Sequence, residues 1–137
     1  MMRFITDSPE RTAQAAAEFA KKLLPGDVIA FTGGMGAGKT TFTAGLLRGL
    51  GNSSRVYSPT FALVNDYGGD PRVLHFDMYR VTDEDSLYST GFYDYLDEKN
   101  ILIIEWSENV APYLPENTIK IDIRTLGENE REITINR

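Results

Sequence analysis

Residues Gly33-Gly34-Met35-Gly36-Ala37-Gly38-Lys39-Thr40 follow the pattern of a glycine, four residues, then Gly-Lys-Thr, the spacing by which backbone N–H groups cradle phosphate. An uninterrupted apolar run, Val28 to Phe31, precedes the pattern, and a helical stretch, Thr41 to Leu50, follows it. A strand before and a helix after bring the loop N–H groups and the positive end of the helix dipole together on phosphate oxygens. Glycines at 33, 36 and 38 leave room for a close backbone approach. In such a loop Lys39 contacts the β- and γ-phosphates and the Thr40 hydroxyl takes one position on Mg²⁺.

A second oxygen ligand for Mg²⁺ is needed, normally a carboxylate at the end of a buried strand. Ile101-Leu102-Ile103-Ile104-Glu105 supplies one. Asp77 is the other candidate, because strand alternation puts it on one face with His75 and Tyr79 while Leu74, Phe76 and Met78 take the opposite face. There it could position a water for attack on the γ-phosphate, or form an edge-strand pair with Arg80. Ser58-Pro59-Thr60 lies between a polar loop and a strand, where a threonine closes over phosphate and metal or a plain proline turn sits. A lone histidine among apolar residues reads first as a packed, hydrogen-bonded core residue.

These groups need a frame, and the chain has one. Asp7, Ser8 and Pro9 open a helix whose stripe runs through Ala13, Ala16, Ala17, Ala20, Leu23 and Leu24 to Pro25-Gly26. Phe61 to Tyr67 and Arg72 to Tyr79 read as a hairpin, and Asp83 to Ser89 and Tyr93 to Asp97 as short helices. Ile119 to Arg124 and Glu130 to Ile135 read as strands joined around Gly127. This order predicts an α/β fold over residues 1–137: one domain with a mixed, partly parallel sheet flanked by helices, of the phosphate-loop NTPase class. Tyr88, Phe92, Tyr93 and Tyr95 among acidic neighbours read either as a docking surface or as ordinary packing.

Composition narrows the chemistry. With no cysteine and one histidine in 137 residues, disulfides and His/Cys zinc sites are excluded, so any metal is hard and oxygen-bound. Fourteen Lys+Arg against 20 Asp+Glu, a net charge of −6, disfavour tight binding of bare nucleic acid. No run reaches the ~20 apolar residues of a membrane span, and no apolar signal run opens the chain, which predicts a cytoplasmic protein. The Asn/Thr-Lys-x-Asp segment by which guanine-specific phosphate-loop proteins read their base does not occur, which favours ATP over GTP.

The ordered set of motifs resembles one family over nearly the whole chain. Thr12 in an amphipathic helix is followed by Gly36-Ala37-Gly38-Lys39-Thr40-Thr41-Phe42, Ser58-Pro59-Thr60-Phe61 with Leu63-Val64, His75-Phe76-Asp77-Met78-Tyr79-Arg80, Gly91, and Glu105-Trp106. This is similar to the bacterial tRNA threonylcarbamoyladenosine biosynthesis ATPases, the TsaE (YjeE) family. The resemblance implies a small ATPase, weak alone, that works with the proteins TsaD and TsaB and meets tRNA only through that complex, with ATP/ADP and Mg²⁺ as cofactors. Carried over by position, it assigns phosphate binding to Lys39 and the backbone of 36 to 41, with Gly33 opening the loop, and Mg²⁺ to Thr40 and Glu105. It places Thr60 in a switch segment and makes Asp77 the essential strand carboxylate. Arg80 and Trp106 support the site, and Thr12 lies beside the adenine.

Two departures stand out. The family loop usually reads Gly-Asp-Leu-Gly, so Gly34 replaces an acid; backbone phosphate binding survives this change, while any role of that acid towards partner or metal is lost. The chain also stops soon after its last predicted strand, where some relatives carry a longer tail. The residues alone leave two other readings open: a small phosphate-loop kinase with Asp77 activating an acceptor hydroxyl, or a nucleotide-dependent interaction module.

Overall fold

In a computed structural model, which describes residues 1–34, 36–57 and 63–137, seven strands form one sheet in the order β1-β7-β6-β2-β5-β4-β3. The strands are β1 (Met2–Thr6), β2 (Val28–Thr32), β3 (Val64–Gly68), β4 (Arg72–Asp77), β5 (Asn100–Glu105), β6 (Ile119–Thr125) and β7 (Arg131–Asn136). The helices are α1 (Pro9–Ala20), α2 (Lys39–Gly49), α3 (Glu84–Ser89) and α4 (Phe92–Tyr95). β2 runs parallel to β5 and β6, and β5 runs parallel to β4, so four parallel strands fill the centre. The outer pairs β3–β4, β6–β7 and β1–β7 are antiparallel.

The two faces of this sheet are covered differently. Ile29, Phe31, Val73, Ile101, Ile103, Ile121 and Ile133 pack with Ala16, Phe19, Phe42 and Leu46 of α1 and α2. Val28, Leu74, Phe76, Met78, Leu102 and Ile104 pack against Leu87 and Phe92 of α3 and α4. β2, β4 and β5 are buried on both faces, which is why β2 and β5 read as near-continuous apolar runs, while β4 buries His75 and Asp77 at the site end.

Local signals start the helices. Ser8 caps α1, its hydroxyl accepting from Arg11 N–H, and Pro9 occupies the first turn. Asp83 and Ser86 form a reciprocal capping box at α3. α1 and α2 approach closely enough that a Cβ at Gly45 would lie 2.3 Å from the Ala13 carbonyl oxygen, and one at Gly49 2.4 Å from that of Ala17.

Several expectations change. β1 was not anticipated; it pairs with β7 from Met2↔Ile135 to Thr6↔Arg131. The hairpin's second strand stops at Asp77, so Tyr79 leaves the face of His75 and Asp77 and stacks 4.9 Å from Trp106. α2 begins two residues early, at Lys39, and α4 spans Phe92–Tyr95 where Tyr93 to Asp97 was expected. Phe61 and Ala62, in the expected start of the hairpin, lie outside the described residues. Of the aromatic cluster, Phe92 is fully buried and Tyr93 and Tyr95 pack against the same core, leaving Tyr88 exposed, so packing accounts for most of it.

Candidate functional site

The glycine loop leaves the C-terminal end of β2 and enters α2. At Gly33, φ is +126°, and a Cβ would meet the Ile123 carbonyl oxygen at 2.3 Å, so only glycine permits the chain to turn this close to β6. Gly38, at φ +104°, precedes the helix and supplies no side-chain cap. The first helical bond runs from Phe42 N–H to the Gly38 carbonyl, which leaves the N–H groups of Lys39, Thr40 and Thr41 without intrahelical acceptors. These donors, with the helix dipole behind them, form an anion-binding end.

Lys39 is nearly buried, its Nζ donating to the Gly33 carbonyl at 3.2 Å and lying 5.6 Å from the Trp106 ring centroid. It therefore folds back across the loop, while Thr40 is exposed beside it. Ala37, buried, is braced from outside: its carbonyl accepts from Arg131 Nε at 3.0 Å, and the same guanidinium donates to the carbonyls of Gly127, Glu128 and Glu130. Nothing local marks Arg131, since it stands 94 residues from Ala37.

The carboxylates come from parallel strand ends. Asp77 and Glu105 are register partners at the C-terminal ends of β4 and β5, beside β2. Alternation places both on the α1–α2 face, where the loop and Lys39 lie. They are about as buried as Lys39. Asp77 Oδ1 accepts from Tyr79 N–H at 2.9 Å. β4 is an inner strand and, among the described residues, Asp77 has no ion pair with Arg80, so the edge-strand alternative does not form. Arg80 is exposed.

Glu105 meets His75. The imidazole is fully buried, with Nε2 2.6 Å from Glu105 Oε2 and Nδ1 3.0 Å from the Tyr67 hydroxyl. The contact to Glu105 is close but off the line of an aligned hydrogen bond, and among the described residues neither atom has another hydrogen-bond partner. Burial pushes the Tyr67 phenol above its ordinary pKa, so it remains a hydroxyl at neutral pH. Immediately after Glu105, Trp106 takes the left-handed conformation at φ +59° and ψ +40°, and the Ser107 hydroxyl donates to the Phe31 carbonyl at 2.9 Å. A non-glycine residue there costs roughly 1–2 kcal/mol. Sequence patterning alone carries no signal for this conformation.

Thr12 lies in α1 and lines a small cleft with Pro9, Gly38, Thr41, Glu128, Asn129 and Arg131. Its hydroxyl is hydrogen-bonded to Thr6 at 2.6 Å and is buried. Gly33, Gly36, Ala37, Gly38, Lys39, Thr40 and Thr41 are thus gathered at one end of the sheet with Thr12, Asp77 and Glu105 around them. Thr60, with Ser58 and Pro59, lies outside the described residues.

The donor set fits a hard cation. Among the described residues no three His, Cys, Asp or Glu side chains gather as a protein-only metal cluster. Mg²⁺ takes one or two protein oxygens and completes its shell with water and phosphate. Glu105 supplies an acidic oxygen, and the exposed Thr40 hydroxyl stands at the helix start.

The family model for threonylcarbamoyl adenosine biosynthesis protein TsaE matches residues 6–133. The chain belongs to the TsaE family. Its relatives include the tRNA threonylcarbamoyladenosine biosynthesis proteins TsaE of Bacillus subtilis, 39% identical over 97% of this chain and 84% of that protein, and of Aquifex aeolicus, 40% identical over 97% and 94%. That of Treponema pallidum is 36% identical over 98% and 99%. The crystal structure of Bacillus subtilis YdiB superposes with a TM-score of 0.81 at 33% identity, covering 98% of this chain and 83% of that one. As a TsaE-family member, the chain has its role in tRNA threonylcarbamoyladenosine biosynthesis. No helix among the described residues is long and apolar enough to cross a membrane.

Proposed function

We propose that this TsaE-family chain is a Mg²⁺-dependent ATPase of the cytoplasm that hydrolyses ATP in complex with TsaD and TsaB, driving or resetting the tRNA-modifying cycle. The observation that carries this reading is the open N-terminus of α2, with Lys39 folded at its root and two carboxylates on adjacent parallel strand ends. The N–H groups of Lys39, Thr40 and Thr41 bind phosphate oxygens, and Lys39 exchanges the Gly33 carbonyl for the β- and γ-phosphates. Thr40 and Glu105 hold Mg²⁺, which when bound neutralises charge on the phosphates. Asp77, fixed by the Tyr79 N–H, orients the attacking water. Thr12 and the cleft around it accept the nucleoside end, and Thr60 contributes from the switch segment that the family resemblance assigns.

Transfer to tRNA is not assigned to this chain. Its net charge of −6 opposes tight binding of bare tRNA, so tRNA is met through the partners. The test is phosphate release from ATP with and without a TsaB–TsaD pair, for wild type, Lys39→Ala and Glu105→Ala. Strong stimulation by the pair, abolished by both substitutions, is expected. No stimulation by a demonstrably active pair refutes the reading.

A further inference from the structure

The buried polar residues behind Glu105 form a chain that the phosphate chemistry above does not use. His75 bridges Glu105 Oε2 at 2.6 Å and the Tyr67 hydroxyl at 3.0 Å. Tyr67 Oη lies 3.0 Å from the Tyr57 carbonyl, which also accepts from Asn65 Nδ2 at 2.9 Å. Three strands hold these groups: Asn65 and His75 are register partners across β3 and β4, and Glu105 ends β5. An ionised carboxylate only accepts hydrogen bonds, so a favourable contact requires the proton on Nε2. The Tyr67 hydroxyl then serves Nδ1, and the Asn65 amide satisfies the Tyr57 carbonyl.

We propose that His75 is a positioning residue that fixes the Glu105 carboxylate for its cation, and that Tyr67 fixes His75 in turn by donating to Nδ1, its own oxygen held by Asn65 Nδ2, which also donates to the Tyr57 carbonyl. The inference rests on the reading of Glu105 as a Mg²⁺ ligand. Three features support it. Oε2 is shut away from solvent and, among the described residues, has no hydrogen-bond partner, so the imidazole 2.6 Å away constrains where the carboxylate points. Nδ1 is hydrogen-bonded to the Tyr67 hydroxyl and the ring is fully buried, which restrains the imidazole with Nε2 against Glu105. The supporting groups also stand on strands, whose positions are less free than those of loops. Groups that orient a ligand in this way typically change metal affinity or activity 10–100-fold when removed.

The test measures cation binding separately from nucleotide binding. Mn²⁺ affinity of the full chain with the non-hydrolysable analogue AMP-PNP is read by electron paramagnetic resonance, and AMP-PNP affinity is measured again in EDTA. The variants are His75→Phe, His75→Gln and Tyr67→Phe, each checked by thermal melting. His75→Phe is expected to weaken Mn²⁺ binding about 10-fold or more. Tyr67→Phe, which deletes one oxygen, weakens it less. His75→Gln, which keeps an N–H donor, recovers part of the loss, and AMP-PNP affinity in EDTA stays within about twofold of wild type throughout.

If His75→Phe does not fold, Tyr67→Phe and His75→Gln decide. Mn²⁺ affinity unchanged in the folded variants, or falling only in parallel with EDTA affinity, overturns the positioning role and leaves the ATPase reading intact. Wild-type protein that binds AMP-PNP with no dependence on Mn²⁺ overturns both.

Discussion

Replacing Gly33 with alanine tests whether the loop's origin is as tightly fixed to β6 as it looks. The new methyl group would sit 2.3 Å from the Ile123 carbonyl oxygen and 3.3 Å from its carbon, in a residue at φ +126°. Both neighbours are backbone, so no side chain can rotate away; relief requires the ends of β2 and β6 to part. Backbone strain of roughly 1–3 kcal/mol adds to an overpacking cost of about 1–3 kcal/mol. The stiffer unfolded chain returns about 0.4–1 kcal/mol. The net loss is roughly 3 kcal/mol. An unfolding entropy of about 2.1 cal/mol/K per residue over 137 residues converts this to a fall in Tm of roughly 10 °C.

Gly51→Ala isolates the backbone contribution, because its φ is +77° and no neighbour lies within 4 Å of the new Cβ; a fall of about 3–4 °C is expected. Gly34→Ala meets nothing within 4 Å and has no positive φ, so the stiffer unfolded chain should raise its melting point by about 1–3 °C. Scanning calorimetry of the three variants, with binding of a fluorescent ATP analogue, is the assay. Gly33→Ala should also bind the analogue more weakly, because the Gly33 carbonyl moves with its Lys39 contact. If Gly33→Ala melts no lower than Gly51→Ala, the steric reasoning is wrong.

Gly45→Ala should destabilise by about 1–2 kcal/mol in thermal melts, because overpacking against the Ala13 carbonyl and Ala16 outweighs the helix-propensity gain of roughly 1 kcal/mol. The Arg72 guanidinium beside Asp66 holds that carboxyl below its ordinary pKa, so the pair contributes stability above the unfolded value that fades as pH falls through the depressed one. The melting difference between wild type and Arg72→Gln should therefore narrow in acid, and also in high salt because the pair is exposed. Trp106 is the one tryptophan and sits under Lys39; ATP binding that draws Lys39 away should change its fluorescence, with a smaller change in Lys39→Ala.

The parts of this fold written in short-range pattern were legible. The loop motif with its flanking strand and helix, the apolar runs of β2 and β5, and the helix start at Ser8-Pro9 all act through neighbours within a turn or two. Strand alternation was enough to put Asp77 and His75 on one face. What escaped depends on distant partners. β1 gains its identity from β7 at the far end of the chain, and a five-residue edge strand with mostly exposed side chains carries little periodic signal of its own. Arg131 is an ordinary surface arginine until the fold brings it under Ala37. The alternative pairing of Asp77 with Arg80 assumed an edge strand, whereas β4 lies between β3 and β5.

The seam between α1 and α2 divides the molecule mechanically. Backbone touches backbone at Gly45 and Gly49, with no side chain between to deform, so α1 behaves as a stiff strut behind the helix that carries Lys39 and Thr40. Further along the sheet, residues 52–57 are tied to β3 by the side chains of Asn52, Ser54 and Asn65. The helix that carries Lys39 and Thr40 is thus backed by direct backbone packing, whereas the segment that leaves it is held to β3 by side-chain hydrogen bonds, giving the site one close-packed flank and one hydrogen-bonded one.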